Sequence, residues 1–98
     1  MVTKVIWRRK ASRYVKETAT YLESEFSVKA AENFVDSVLK TIEKISKSLS
    51  SYRIAPRTKT VHFTNIDRHR QVFFRESGNL LIISAFFDTR QNPRKRPF

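Results

Sequence analysis

Residues 68–93 read RHRQVFFRESGNLLIISAFFDTRQNP, and this stretch decides the fold. Two apolar runs flank Ser77-Gly78-Asn79, which holds the only glycine of the chain. Such a tripeptide between β-prone runs signals a hairpin, because glycine adopts the positive φ that a tight turn demands. RHRQVFFRE (68–76) is the first strand and LLIISAFFD (80–88) the second. The second run is apolar on both faces, which marks an interior strand covered on both sides. A buried helix over 80–87 is the rival reading. Its short length, the Ile82-Ile83 pair and the turn before it favour a strand.

Working back from the hairpin, TNID (64–67) is a turn and TVHF (60–63) a strand. SLSSYRIAPRTK (48–59) is a loop, since Pro56 opposes a helix through it. Two amphipathic helices precede the loop. From about Arg8 to Phe26 the apolar positions Ala11, Tyr14, Val15, Thr18, Ala19, Leu22 and Phe26 recur at three-four spacing. Ser27 is placed to cap the next helix, whose face is Ala31, Phe34, Val35, Val38, Ile42, Ile45 and Leu49. Almost no linker separates the two, so they form an αα-hairpin. VTKVIW (2–7) is a β-branched opening strand. The expected class is α+β: β-α-α-β-β-β, a small twisted, mostly antiparallel sheet with the αα-hairpin packed on one face. The other face is expected to be free and to carry several arginines. Trp7 and the Phe73, Phe74, Phe86 and Phe87 set are read as core.

The 98 residues make one domain, and eight Phe with a hydrophobic fraction of 40% exclude a disordered chain. Absence of cysteine excludes disulfides, thiol nucleophiles and cysteine-based zinc sites. Two histidines without cysteine point to no metal, and no cofactor motif is present. No stretch is apolar enough for a signal peptide or a membrane span, so the expected compartment is the cytoplasm. The net charge of +11 points to a polyanionic or acidic partner: nucleic acid, ribosome or an acidic protein. The charge is uneven. Residues 1–50 carry ten cations and six acids; residues 51–98 carry ten cations and three acids. Seven of the first ten cations are Lys, whereas eight of the second ten are Arg. Arginine is suited to bidentate contact with phosphate or carboxylate, so the second half is the expected working half.

VIWRRKA, FSVKAAENFVDSV and the closing RHRQVFFRESGNLLIISAFFDTRQNP together resemble the RelE/ParE superfamily of toxins from type II toxin–antitoxin modules, the plasmid-stabilisation type. The likeness covers nearly the whole chain, and FDTRQNP is its most specific part. It implies a small toxin neutralised by a cognate acidic antitoxin. RelE-like members cleave mRNA in the ribosomal decoding site and so inhibit translation; ParE-like members inhibit DNA gyrase without chemistry. The first of these, an endoribonuclease acting on ribosome-bound mRNA, is the expectation taken forward, with the gyrase inhibitor as the alternative.

RNA cleavage needs proton removal from the 2′-hydroxyl, stabilisation of the phosphate, and proton delivery to the leaving oxygen. By the resemblance, Arg70 before VFF and Arg90 after the last strand are the catalytic pair at the phosphate. The competing reading is an ordinary ion pair with Asp67 or Asp88. Arg53, Arg57, Lys59, Arg68 and Arg94 are candidate phosphate contacts. His62 and His69 are candidate acid/base groups, since only histidine titrates near neutrality unperturbed. Nuclease members often carry an aromatic hydroxyl beyond the last arginine, whereas this sequence has Phe98 there and its tyrosines (Tyr14, Tyr21, Tyr52) earlier. Residues 94–98, beyond Pro93, have little to bury and are expected to form a mobile basic arm.

Overall fold

The computed structural model describes residues 4–48, 52–55 and 58–98. Strand β1 (Lys4–Trp7) leads into helices α1 (Arg9–Glu25) and α2 (Val28–Lys47). Strands β2 (Arg53–Ile54), β3 (His62–Asn65), β4 (Arg70–Ser77) and β5 (Leu80–Asp88) follow, and then a 3₁₀ turn, Pro93–Lys95. The expected α+β order is present with one addition. Strand β2 has only two residues, pairing Arg53 with Phe63 and Ile54 with His62. A strand that short leaves no alternation to read, so the sequence showed only a loop there.

The helices start and stop for local reasons. Ser27 caps α2, its Oγ accepting the Ala30 N–H at 3.0 Å. Lys44 and Lys47 sit in its last turn, where the helix dipole favours cations. Leu49, expected on the apolar face of this helix, lies outside the described residues. No helix among the described residues is long and apolar enough to cross a membrane.

The sheet order is β1-β5-β4-β3-β2, with β1 parallel to β5 and the other pairs antiparallel. Strand β5 is therefore interior, which accounts for its continuous apolar run. Ser77 pairs with Leu80 across Gly78 and Asn79, and Gly78 has φ +61°, the left-handed region that glycine enters without strain. The register shifts once. Phe73 opposes Ala85 and Phe74 opposes Ile83, so Ser84 is an extra residue in β5. This bulge changes which residues face the helices. Leu81 and Ile83 point to them before it, and Phe86 does so after it.

The main core lies between the helices and that face. Ala11, Phe34, Val38, Ile42 and Ile45 meet Val72, Phe74, Leu81, Ile83 and Phe86. Each large side chain buried this fully contributes about 1.5–3 kcal/mol relative to exposure. Trp7 and Tyr14 stack on Phe86 from the edge, at 6.0 and 5.2 Å between centroids. The opposite face is less free than expected. Ala55, Val61, Phe73, Ala85 and Phe87 form a second small core with Phe63 beside it.

The chain beyond Pro93 is laid on this second core, in contrast to the expected free arm. The Arg96 guanidinium lies 4.9 Å from the Phe63 ring centroid and 5.3 Å from that of Phe73. The Phe98 ring stands 5.5 Å from Phe73. Cation–π contact and one aromatic ring supply the anchoring that composition alone did not reveal.

Candidate functional site

Strand β4 begins where β5 ends, so Arg70 pairs across the sheet with Asp88 and Arg90 follows two residues later. Both arginines line one cleft of about 340 Å³, together with Tyr14, Glu17 and Tyr21 of α1 and with Gln91. The expected convergence of Arg70 and Arg90 is present. Each guanidinium, however, is held by a carboxylate, the competing reading from the sequence.

Asp67 organises the first pair. Its Oδ1 accepts the N–H groups of His69 (2.9 Å) and Arg70 (3.0 Å), a short side-chain turn that sets the entry to β4. Its Oδ2 accepts Arg70 Nη1 at 2.8 Å. Arg70 lies on the helix side of the sheet, its guanidinium 5.0 Å from the Phe34 ring centroid. Its side chain is only 14% exposed, and its buried Nε has no hydrogen-bond partner. Arg70 is therefore not among the arginines of the opposite face.

Asp88 organises the second pair. Its Oδ1 accepts the Arg90 backbone N–H at 2.9 Å and Nε at 3.1 Å, and its Oδ2 accepts Nη2 at 2.7 Å. Hydrogen bonds from Arg90 hold the Asp88 carboxyl below its ordinary range, against the opposing effect of burial. The same hydrogen bond raises Arg90. Thr89 fastens the end of β5 to the start of β4 by donating N–H and Oγ1 to the His69 carbonyl, at 2.6 and 3.1 Å. Across the cleft, burial pushes the Tyr14 hydroxyl above its ordinary value, while Arg70 and the Thr18 hydrogen bond pull the other way.

The remaining candidates lie elsewhere. His62 stacks on Phe74 in the core face at 5.7 Å, and its Nδ1 meets the Tyr52 carbonyl at 3.0 Å. It is a packed strand histidine outside the cleft. His69 lies in the bend before β4 and does not line the cleft. Arg53 is on β2 and shares its face with Phe63 across a separate groove. Lys59 and Arg68 are exposed in turns, and Arg94 is exposed in the 3₁₀ turn with its N–H on Asn92 Oδ1. Arg57 lies outside the described residues. Among the described residues no group of three or more potential metal ligands comes together.

Sequence reading missed the contribution of α1. The sequence places Tyr14 on an apolar helical face and Tyr21 only among the tyrosines that precede the last arginine. Their signal was the spacing of seven, which puts two hydroxyl-bearing rings on one side of the helix with Glu17 and Thr18 between them.

Comparison with known proteins bears on this cleft. A family model described as the ParE toxin of the type II toxin–antitoxin system parDE matches residues 5–93. The chain belongs to this family. As a ParE-family toxin it lies within the RelE/ParE superfamily, and the match takes in Arg70, Asp88 and Arg90. A solved structure described as a chromosomal ParDE TA system from P. aeruginosa shares the fold. Its TM-score is 0.74 at 16% identity, over 90% of this chain and 96% of that one. No curated protein matches the chain.

Proposed function

We propose that this ParE-family toxin arrests growth by binding a protein target, DNA gyrase, with no chemical step of its own. We further propose that an acidic cognate antitoxin neutralises it. The observation that carries the reading is the pairing of both cleft arginines. Asp67 holds Arg70 and Asp88 holds Arg90 at 2.7–2.8 Å, so each guanidinium charge is already partly neutralised and is a weaker phosphate ligand than an unpaired arginine. Neither candidate histidine lines this cleft. Membership of the ParE family rather than the RelE branch supports the same side.

The cleft instead offers groups that suit a polypeptide: two tyrosine rings, a glutamate, a glutamine and two fixed carboxylate–guanidinium pairs. Aromatic and arginine side chains of this kind dominate protein–protein contacts. One observation favours the mRNA-cleaving alternative, namely that Arg70 and Arg90 share a cleft.

Two parallel assays decide the matter. Purified toxin is added to gyrase with relaxed plasmid, and separately to translating ribosomes whose mRNA ends are mapped. Blocked supercoiling with intact mRNA is the expected result. New mRNA ends with normal supercoiling overturn the proposal in favour of the endonuclease.

A further inference from the structure

The nine acids of the chain are placed unevenly. Six are on α1 and α2 (Glu17, Glu23, Glu25, Glu32, Asp36 and Glu43). Asp67 and Asp88 are engaged by the cleft arginines. Glu76 pairs with Leu81, and paired residues share a face, so it is on the helix side. None is left for the opposite face of the sheet.

That face gathers arginines from four segments of the chain. Arg53 on β2 pairs with Phe63, a residue of the second core. Arg75 on β4 follows Phe74 and alternates away from the helices. Arg8 and Arg75 line a cavity of about 300 Å³ with Phe98 and the buried bulge residue Ser84. Arg96 lies over the Phe63 and Phe73 rings, and its Nε and Nη2 are buried without hydrogen-bond partners. Arg96 as a whole is half-buried and its Nη1 is not among the buried atoms, so an incoming acceptor meets the guanidinium from that side.

We infer that this second face is a docking surface for an acidic peptide segment of the antitoxin, whose carboxylates pair with Arg8, Arg75 and Arg96. The inference rests on the toxin reading but not on the identity of the target. Charge complementarity selects the occupant: four arginines with no facing acidic side chain, on a chain of net charge +11. Size and stacking select a peptide over a nucleic acid. The cavity is at the small end for ligand sites and fits one or two side chains. The Phe63 and Phe73 rings, on which a base would stack, are covered by Arg96 and Phe98.

The test uses the full chain and two probes, a deca-glutamate peptide and a deca-thymidylate oligonucleotide, with affinities read by titration at low and moderate salt. Arg75→Gln and Arg96→Gln are compared with Arg90→Gln in the cleft and with Lys44→Gln on α2, each of which removes one charge. The expected result is peptide affinity lowered at least about tenfold by either second-face variant. The Arg90 and Lys44 variants lower it by only the few-fold effect of one unit of net charge. Equal losses in all four variants overturn the inference, as does loss confined to Arg90→Gln. Tighter binding of the oligonucleotide at the same two arginines also overturns it. Gyrase inhibition is measured on the same preparations, so a failure here is distinguishable from a failure of the target assignment.

Discussion

Asp88 grips Arg90 with both carboxylate oxygens, Oδ1 on Nε at 3.1 Å and Oδ2 on Nη2 at 2.7 Å, while Oδ1 also takes the Arg90 backbone N–H. The two residues are separated in sequence only by Thr89, so one turn fixes both the backbone and the guanidinium plane. A fork held this way points in one direction at the mouth of the cleft. Its rotamer is ordered before any partner arrives, which lowers the entropic cost of binding.

Replacing Arg90 should therefore separate function from stability. The Arg90 side chain is 58% exposed, and exposed pairs contribute little to folding. We expect Arg90→Ala to shift Tm by no more than about 2 °C while weakening growth arrest and gyrase inhibition by about tenfold or more. Thermal melts and a supercoiling titration on the same protein check this. Full inhibition by a folded Arg90→Ala protein would remove Arg90 from the working surface.

The depressed Asp88 carboxyl sets a pH dependence with a definite sign. Its folded value is below the unfolded one, so the folded state binds fewer protons around it. The stabilisation is fully present above the ordinary carboxylate value of about 3.9 and is lost as pH falls through the lower folded value. Urea midpoints of wild type and Asp88→Asn should differ by a constant amount above about pH 5 and converge below about pH 4. Curves that stay parallel to pH 3 would show that Arg90 does not hold this carboxyl as the structure shows.

His62 offers a different contrast. Its ring stacks on Phe74 with an interplanar angle of 17° and its Nδ1 meets the Tyr52 carbonyl. His62→Phe keeps the stacking and loses the hydrogen bond, so it should cost about 1 kcal/mol and leave growth arrest intact. Loss of arrest at near-normal stability would restore His62 as an acid/base group.

What was legible in the sequence followed from periodicity and turn chemistry. The helices announced themselves through three-four spacing and Ser27, and the closing hairpin through Gly78 flanked by apolar runs. The two ion pairs were legible as alternatives because Asp67 and Asp88 stand two or three positions from their arginines. The bulge at Ser84 was not legible, since one inserted residue in a run apolar on both faces leaves no break in pattern. The fate of the tail was not legible either. Composition counted Arg96 as a solvated charge, whereas its position over Phe63 and Phe73 depends on contacts made across the sheet. Tyr14 and Tyr21 reach the cleft only because α1 crosses the sheet end where β5 stops, a tertiary relationship outside any helical repeat.

Arg70 and Asp67 give the sharpest test of structural against functional roles. The Arg70 side chain is 14% exposed, lies against Phe34 and has one oxygen of Asp67 at 2.8 Å. Asp67→Ala leaves that guanidinium without its carboxylate and deprives the His69 and Arg70 N–H groups of their acceptor. A cost of about 3 kcal/mol or more is expected, the range for breaking a buried pair from one side. Arg70→Met is milder, about 1 kcal/mol, because methionine still covers Phe34 and Asp67 keeps its two backbone donors. In the double variant no unpaired cation remains, so its cost should be below the sum of the single costs by about 1 kcal/mol or more. Urea denaturation of the four proteins measures this coupling. Arg70→Met should also keep gyrase inhibition within about threefold of wild type, as expected for a residue that orders the cleft from beneath. Additive costs together with lost inhibition in a folded Arg70→Met protein would reverse the assignment and place Arg70 in contact with the target.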